Sequence, residues 1–170
     1  MKIIDNYKNS LIIDNAEYFI KLTNKIKLII NSKKDVKLIF FSENYNEDVE
    51  IFVNSSITLD IYELSINSNS KKYIYQNEEN SIVNYYHGNI NKNNSNIFYK
   101  VFVNKDNTEN NLFIHSLNLS KDKCEIEVIN DFKDEIKSIT TQETIIYDLN
   151  NGINKIKPIL LVGSNNITAN

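Results

Sequence analysis

From about residue 36 onward the apolar residues of this chain recur at every second position rather than every third or fourth. In Ile57-Thr-Leu-Asp-Ile-Tyr-Glu-Leu64 the residues Ile57, Leu59 and Ile61 face one way while Thr58, Asp60 and Tyr62 face the other, which is the signature of a half-buried strand. The alternation returns in Ile97–Val103, Leu112–Leu119 and Cys124–Ile129. Shorter stretches at Val36–Phe41, Val49–Val53, Ile82–Tyr86, Ile136–Ile139 and Thr144–Tyr147 add further strands. Many short strands separated by polar punctuation predict an all-β fold.

The first 30 residues admit two readings. Ala16, Phe19, Ile20, Ile26 and Ile30 fit a helical stripe, whereas Tyr18, Ile20 and Leu22, then Ile26, Leu28 and Ile30, alternate about Thr23-Asn-Lys25. The β-branched content favours strands. Two polar stretches, Asn67–Lys72 and Asn89–Asn96, read as loops within one domain, because strand signals resume promptly after each.

Sandwich, barrel and solenoid all satisfy this pattern. The chain has only three Gly, while Asn makes up about a sixth of it, so left-handed turn positions fall to Asn, the best non-Gly residue for them. Asn151-Gly152 is the one Asn-Gly pair between clear strands. Frequent Asn between strands suits the corners of a β-solenoid, although no strict repeat period is visible.

Composition narrows the function. Nineteen basic residues, all Lys, against 22 acidic ones give a net charge of −3, and the Lys are scattered singly or in pairs such as Lys33-Lys34 and Lys71-Lys72. Phosphate-backbone binding needs a concentrated positive surface, so a nucleic-acid role is not expected. No run approaches the roughly 18 apolar residues of a membrane span. The N-terminal stretch breaks its apolar character at Asp5 and Lys8, leaving no secretory core, and a single Cys excludes an intrachain disulfide. A cytoplasmic protein of one domain, residues 1–170, is expected.

One Cys and two His cannot supply a four-ligand Cys/His zinc site, and no compact Asp/Glu/His spacing suggests a mixed one. Three separated Gly form no phosphate cradle, and no nucleophile elbow is present. Cys124 shares a face with Ile126 and Val128, as expected of an inert core thiol. His115 lies on a strand with Phe113 and Leu117 on its own face and Ile114 on the other, either of which can be the core. His87, before Gly88, reads as a strand end followed by a turn. Both histidines are expected to be structural. No catalytic, cofactor-binding or metal-binding residue is assigned, and the chain is not expected to be an enzyme.

The last sixteen residues add a motif. Pro158 can open a strand that Ile159–Val162 continue, and Gly163-Ser-Asn-Asn166 reads as a tight turn. Pro158, Leu160, Val162, Ile167 and Ala169 fit the segment "P-x-L-x-I-x-x-x-x-V-x-A" of the SufB/SufD family of iron–sulfur cluster assembly proteins, which this chain therefore resembles. The resemblance spans roughly residues 30 to 170, with Ile129-Asn-Asp-Phe132 and Thr140-Thr-Gln142 standing where the family has strand ends. It implies a right-handed parallel β-helix, with an antiparallel β-sandwich as the alternative fold. It also implies a non-catalytic SufD-like or SufB-like scaffold that pairs with a SufB/SufD-type subunit and acts with a SufC-type ATPase. The iron–sulfur cluster would be held transiently by the assembled complex, with no cofactor on this chain alone. The family's next residue, a His, would follow Asn170. Its helical C-terminal region, which carries the late residues of cluster chemistry and of the ATPase contact, would lie beyond, so no functional residue transfers to this chain. The other reading is a β-rich module that binds protein or carbohydrate through Tyr- and Asn-rich strand faces.

Overall fold

The computed structural model describes residues 1–5, 7, 9–14, 16–133 and 136–162. Fourteen strands follow one another: β1 (Lys2–Ile4), β2 (Ser10–Ile13), β3 (Glu17–Leu22), β4 (Ile26–Ile30), β5 (Val36–Glu43), β6 (Val49–Val53), β7 (Thr58–Ile66), β8 (Lys71–Gln76), β9 (Ile82–Asn91), β10 (Ser95–Val103), β11 (Glu109–Asn118), β12 (Lys123–Phe132), β13 (Ile139–Asp148) and β14 (Ile153–Val162). Successive strands alternate between two sheets. The odd-numbered strands form one, in the order β1-β3-β5-β7-β9-β11-β13, and the even-numbered strands form the other, β14-β12-β10-β8-β6-β4-β2. Every ladder is parallel, so the chain coils as a β-solenoid and the antiparallel sandwich is excluded.

Period-two alternation is what allows this coil. Inward residues of one coil stack on inward residues of the next, as in the column Tyr18, Leu38, Ile61, Tyr85 and Leu112 of the odd sheet, all buried. The opposing column of the even sheet runs Ile26, Val49, Lys72, Tyr99 and Val128. Both N-terminal strands predicted around Thr23–Lys25 are present, with Tyr18, Ile20, Leu22, Ile26, Leu28 and Ile30 all buried, so the helical reading is set aside.

The lack of a strict sequence period has a geometric cause, because the coils lengthen along the chain. Corner contacts one coil apart separate Asn54 from Asn77 by 23 residues, Asn77 from Asn104 by 27, and Thr108 from Ser138 by 30. Backbone ladders do not require equal coils; they require only that each corner return the chain to register.

Asn supplies those corners. The described non-Gly residues with positive φ are Asn44, Asn67, Asn80, Asn107 and Asn151, between 50° and 56°. Asn amides also bridge coils directly, Asn77 Nδ2 donating to Asn54 Oδ1 at 2.9 Å and Asn104 Nδ2 to Asn77 Oδ1 at 2.8 Å. Replacing Asn80 with Val should therefore cost about 1–2 kcal/mol, because a β-branched side chain is strained in left-handed backbone, whereas Asn80→Gly should be near neutral. Chemical denaturation of the two variants side by side checks this.

Several local expectations are corrected. His87 and Gly88 lie in the middle of β9, not at its end, and the supposed Asn89–Asn96 loop contains the last residues of β9 and the first of β10. Lys71 and Lys72 begin β8 rather than closing a loop, and Ile136 precedes β13 instead of opening a strand. Asn151-Gly152 is a corner between sheets, since β13 and β14 belong to different ladders. Pro158 sits at the centre of β14 rather than at its start. That strand is the described edge of its sheet, where a missing N–H leaves no ladder partner unserved. The turn expected at 163–166, with Ile167 and Ala169, lies outside the described residues.

Candidate functional site

The interior is apolar through the early coils and then turns polar. Glu63 of β7 and Lys72 of β8 both point inward, one from each sheet, and both are buried, with Glu63 Oε1 3.2 Å from Lys72 Nζ. Their columns hold Phe40 and Val49 one coil earlier, so a charged pair occupies places that the alternation fills elsewhere with apolar side chains. Tyr85 donates its hydroxyl to Glu63 Oε2 at 2.6 Å, and the Lys72 ammonium lies 5.4 Å from the centre of the Tyr99 ring.

His87 stacks in the column after Glu63. Its Nε2 lies 2.7 Å from Ser65 Oγ, and its Nδ1 lies 2.8 Å from the Tyr99 hydroxyl. One order of donors satisfies both ring nitrogens and Ser65: Tyr99 O–H donates to Nδ1, Nε2–H donates to Ser65 Oγ, and Ser65 O–H donates to Asn89 Oδ1 at 2.7 Å. That order assigns His87 the neutral Nε2–H tautomer. The line continues with Asn89 Nδ2 donating to Asn91 Oδ1 at 2.8 Å and to Ser116 Oγ at 3.0 Å, and Asn91 Nδ2 donating to Cys124 Sγ at 3.3 Å. A buried polar line therefore runs from Lys72 to Cys124 across several coils.

Electrostatics follow from this closure. Burial pushes the His87 imidazolium down to about 4; the Glu63 carboxylate opposes that shift and Lys72 reinforces it. For Glu63, burial acts upward but is outweighed by charge on His87, by the Lys72 ammonium and by the bonds from Tyr85 and Lys72, which hold the carboxyl below its usual range. With His87 neutral at neutral pH, Lys72 and Tyr85 are the groups that compensate Glu63 there. Burial raises both Tyr85 and Tyr99 well above the usual phenol range.

The signs give a pH dependence. Between about 6.5 and about 4 the unfolded chain binds a proton on His87 that the folded chain refuses, so stability is full above 6.5 and falls as pH drops through that window. The lowered Glu63 contributes stability above its ordinary value of 4.5 that is lost below it. At about 1.4 kcal/mol per unit, the His87 contribution amounts to about 3 kcal/mol. Urea midpoints measured from pH 7 to 4.5 should decline in the wild type and flatten in His87→Gln. An undiminished decline in the variant would assign the titration to other groups.

The Ser, His and carboxylate inventory of a hydrolase is thus present at hydrogen-bond distance, yet Glu63, Ser65 and His87 are all buried between stacked coils. His87 Nδ1 is directed at the Tyr99 phenol rather than at an orienting carboxylate. Chemically the cluster fixes the register of three consecutive coils. Among the described residues no group of three or more His, Cys, Asp or Glu is placed to hold a metal ion.

Cys124 lies in the core with Ile126 and Val128, as its alternation indicated, and burial raises its thiol against weaker opposition from the Ser116 and Asn91 bonds. His115 lies on the outer face of β11, its Nε2 2.7 Å from Glu143 Oε1, and Ile114 rather than Phe113 belongs to the core. The three residues singled out by chemistry are therefore not one site. Cys124 and His87 are joined through Ser65, Asn89, Asn91 and Ser116, while His115 is on the opposite side of its sheet. Sequence reasoning missed Glu63 and Lys72. The available signal was their odd phase, Glu63 following Leu59 and Ile61 on the buried face.

The outer surface offers the other candidate. Tyr62, Tyr86 and Phe113 stack ring on ring along the odd sheet, with centroids 5.0 and 5.1 Å apart. Beside them Gly88 interrupts the column Phe41, Leu64, Gly88, His115 and leaves a recess of about 390 Å³. The geometry defines a β-solenoid with a closed interior and an apolar outer face. Comparison with protein families, with curated proteins and with solved structures gave no match to this chain.

Proposed function

We propose that this protein is a non-catalytic scaffold of the SufB/SufD type, more SufD-like, that works in iron–sulfur cluster assembly by pairing with another subunit of that type in a complex with a SufC-type ATPase. One observation carries the reading. The parallel solenoid that the resemblance implies is the fold of the chain, and Pro158, Leu160 and Val162 occupy its strand β14 in register with Val128, Asn130 and Phe132 of β12. These three motif positions fall in register with the inner columns of the coil rather than in a loop, with Leu160 47% exposed on this edge strand.

The sealed Glu63–Cys124 line supports a structural role, because its reactive groups meet each other and not solvent. In this reading the cluster is handled by the assembled complex, the chain alone holds no cofactor, and the protein works in the cytoplasm with Cys124 as a thiol. A β-rich module that binds protein or carbohydrate is the second reading, favoured by the exposed Tyr62 and Tyr86. The rings of that stack present their faces to one another, however, which leaves mainly edges for a sugar to contact.

Size-exclusion chromatography with light scattering decides between them. Mixed with a SufB- or SufD-type subunit, the chain should elute as a stoichiometric complex. Failure to form one at concentrations of tens of micromolar, together with retention on a carbohydrate array, would give the second reading the function.

A further inference from the structure

We propose that the outer face of the odd-numbered sheet is a pairing surface for a second copy of this chain, with Leu64 of each copy seated over Gly88 of the other. The inference stands apart from the scaffold reading, since it rests on the relief and chemistry of one sheet face.

The two outer faces differ. On the even sheet the aromatic stack Phe52, Tyr75 and Phe102 is covered by lysines, Lys27 Nζ 4.4 Å from the centre of Phe52 and Lys100 Nζ 4.5 Å from that of Phe102. Around it run the ion pairs Lys25–Glu50, Lys100–Asp131 and Lys157–Glu127, so that face is built for water. The odd sheet carries the ion pairs Lys37–Glu17 and His115–Glu143, and Lys37 lies over Tyr62 at 5.2 Å, yet at its centre Tyr62, Leu64 and Tyr86 remain 40%, 44% and 38% exposed. Tyr-rich apolar surface with few charges at its centre is the composition of an interface core.

Gly88 gives the face its relief. Its backbone is not left-handed, and an added Cβ would meet only ordinary contacts, 3.8 Å to Glu63 O and 3.9 Å to Leu64 Cδ1. Neither conformation nor packing within the chain demands glycine there. What its absent side chain produces is the recess, directly beside the exposed Leu64 with which it is paired in register.

Knob and notch at the same height on neighbouring strands complement themselves. A two-fold axis parallel to the strands and midway between β7 and β9 places each Leu64 over the partner's Gly88 recess and each Tyr62 over the partner's Tyr86, the isologous arrangement expected of closed dimers. The same operation sets Asp60 against Asn84 and Lys37 against Asn111, so no like charges meet near the axis. Five strands about 4.8 Å apart and about eight residues long at about 3.3 Å present roughly 600 Å² in projection, and more with relief. This is close to the ~800 Å² per partner of a specific interface. Aligned face-to-face packing is how two twisted sheets associate. Pairing would leave the charged face free for other subunits.

Sedimentation equilibrium on the full chain tests this. The wild type should be dimeric at roughly 100 μM, and Leu64→Glu or Gly88→Lys, both on the outer surface, should weaken association at least tenfold with an unchanged circular dichroism spectrum. Leu64→Gly and Gly88→Leu should each weaken it, while the double variant L64G/G88L, which exchanges knob and notch, should recover it. A wild-type monomer, a dimer indifferent to Leu64→Glu, or a double variant no better than its parents would overturn the proposal. So would a monomer that instead binds a SufB/SufD-type subunit through Leu64, since the face would then have another occupant.

Discussion

Lys72→Met should cost about 3–5 kcal/mol, the largest loss expected from any single substitution considered for this chain, because it strips the cation from a carboxylate that water cannot reach. Lys72 Nζ is 3.2 Å from Glu63 Oε1, and that oxygen has no aligned hydrogen-bond donor besides this charge contact. Tyr85 serves only Oε2. In the variant the carboxyl must either stay charged without compensation or take up a proton, and either outcome shifts the folding equilibrium. Glu63→Gln/Lys72→Met should regain most of the loss, since replacing both members removes the unpaired charge while the Gln carbonyl still accepts from Tyr85. At about 2 kcal/mol per molar in urea, the single variant should unfold roughly 2 M earlier than the wild type with an unchanged slope. A shift under about 0.5 M would mean that water reaches Glu63, and the closed interior would be wrong.

Cys124 reports on the same closure by a different route. The thiol is fully buried, held by Asn91 and Ser116, and raised by desolvation, so a reagent can attack only when the coil opens. With a domain stability of even about 5 kcal/mol the open fraction is of order 10⁻⁴, and native labelling should be about 10³–10⁴-fold slower than labelling in denaturant. Rates within a factor of ten would place the thiol at the surface. Lys72→Met should accelerate native labelling in proportion to its loss of stability, which ties the two measurements together.

How much of this was legible depended on which face carried the apolar residues. Strands such as β4, β6 and β10 declare themselves, because Ile26, Leu28 and Ile30, or Ile97, Tyr99 and Val101, are both apolar and inward. Strand β8 inverts that rule. It sends Lys72 and Gln76 inward and Tyr73 and Tyr75 outward, so a reading based on apolar phase passes over it. The end of β9 was lost for the same reason, since Asn89 and Asn91 are core residues satisfied by Ser65, Ser116 and Cys124, groups distant in sequence. Buried polar networks are specified by pairs of residues a coil apart, and unequal coils hide that spacing. The corners were legible because left-handed backbone demands Asn where Gly is scarce. The parallel sense of the ladders was not in the alternation at all; it came from the resemblance, and the described ladders are all parallel.

Anaerobic reconstitution with iron and sulfide, read by visible absorbance and by bound iron per chain, addresses the scaffold most directly. The isolated chain should hold no stoichiometric chromophore, while a complex with a SufB/SufD-type subunit and a SufC-type ATPase should hold one, equally with Cys124→Ser. A stable chromophore on the isolated chain that disappears in Cys124→Ser would contradict both the closed interior and the scaffold role.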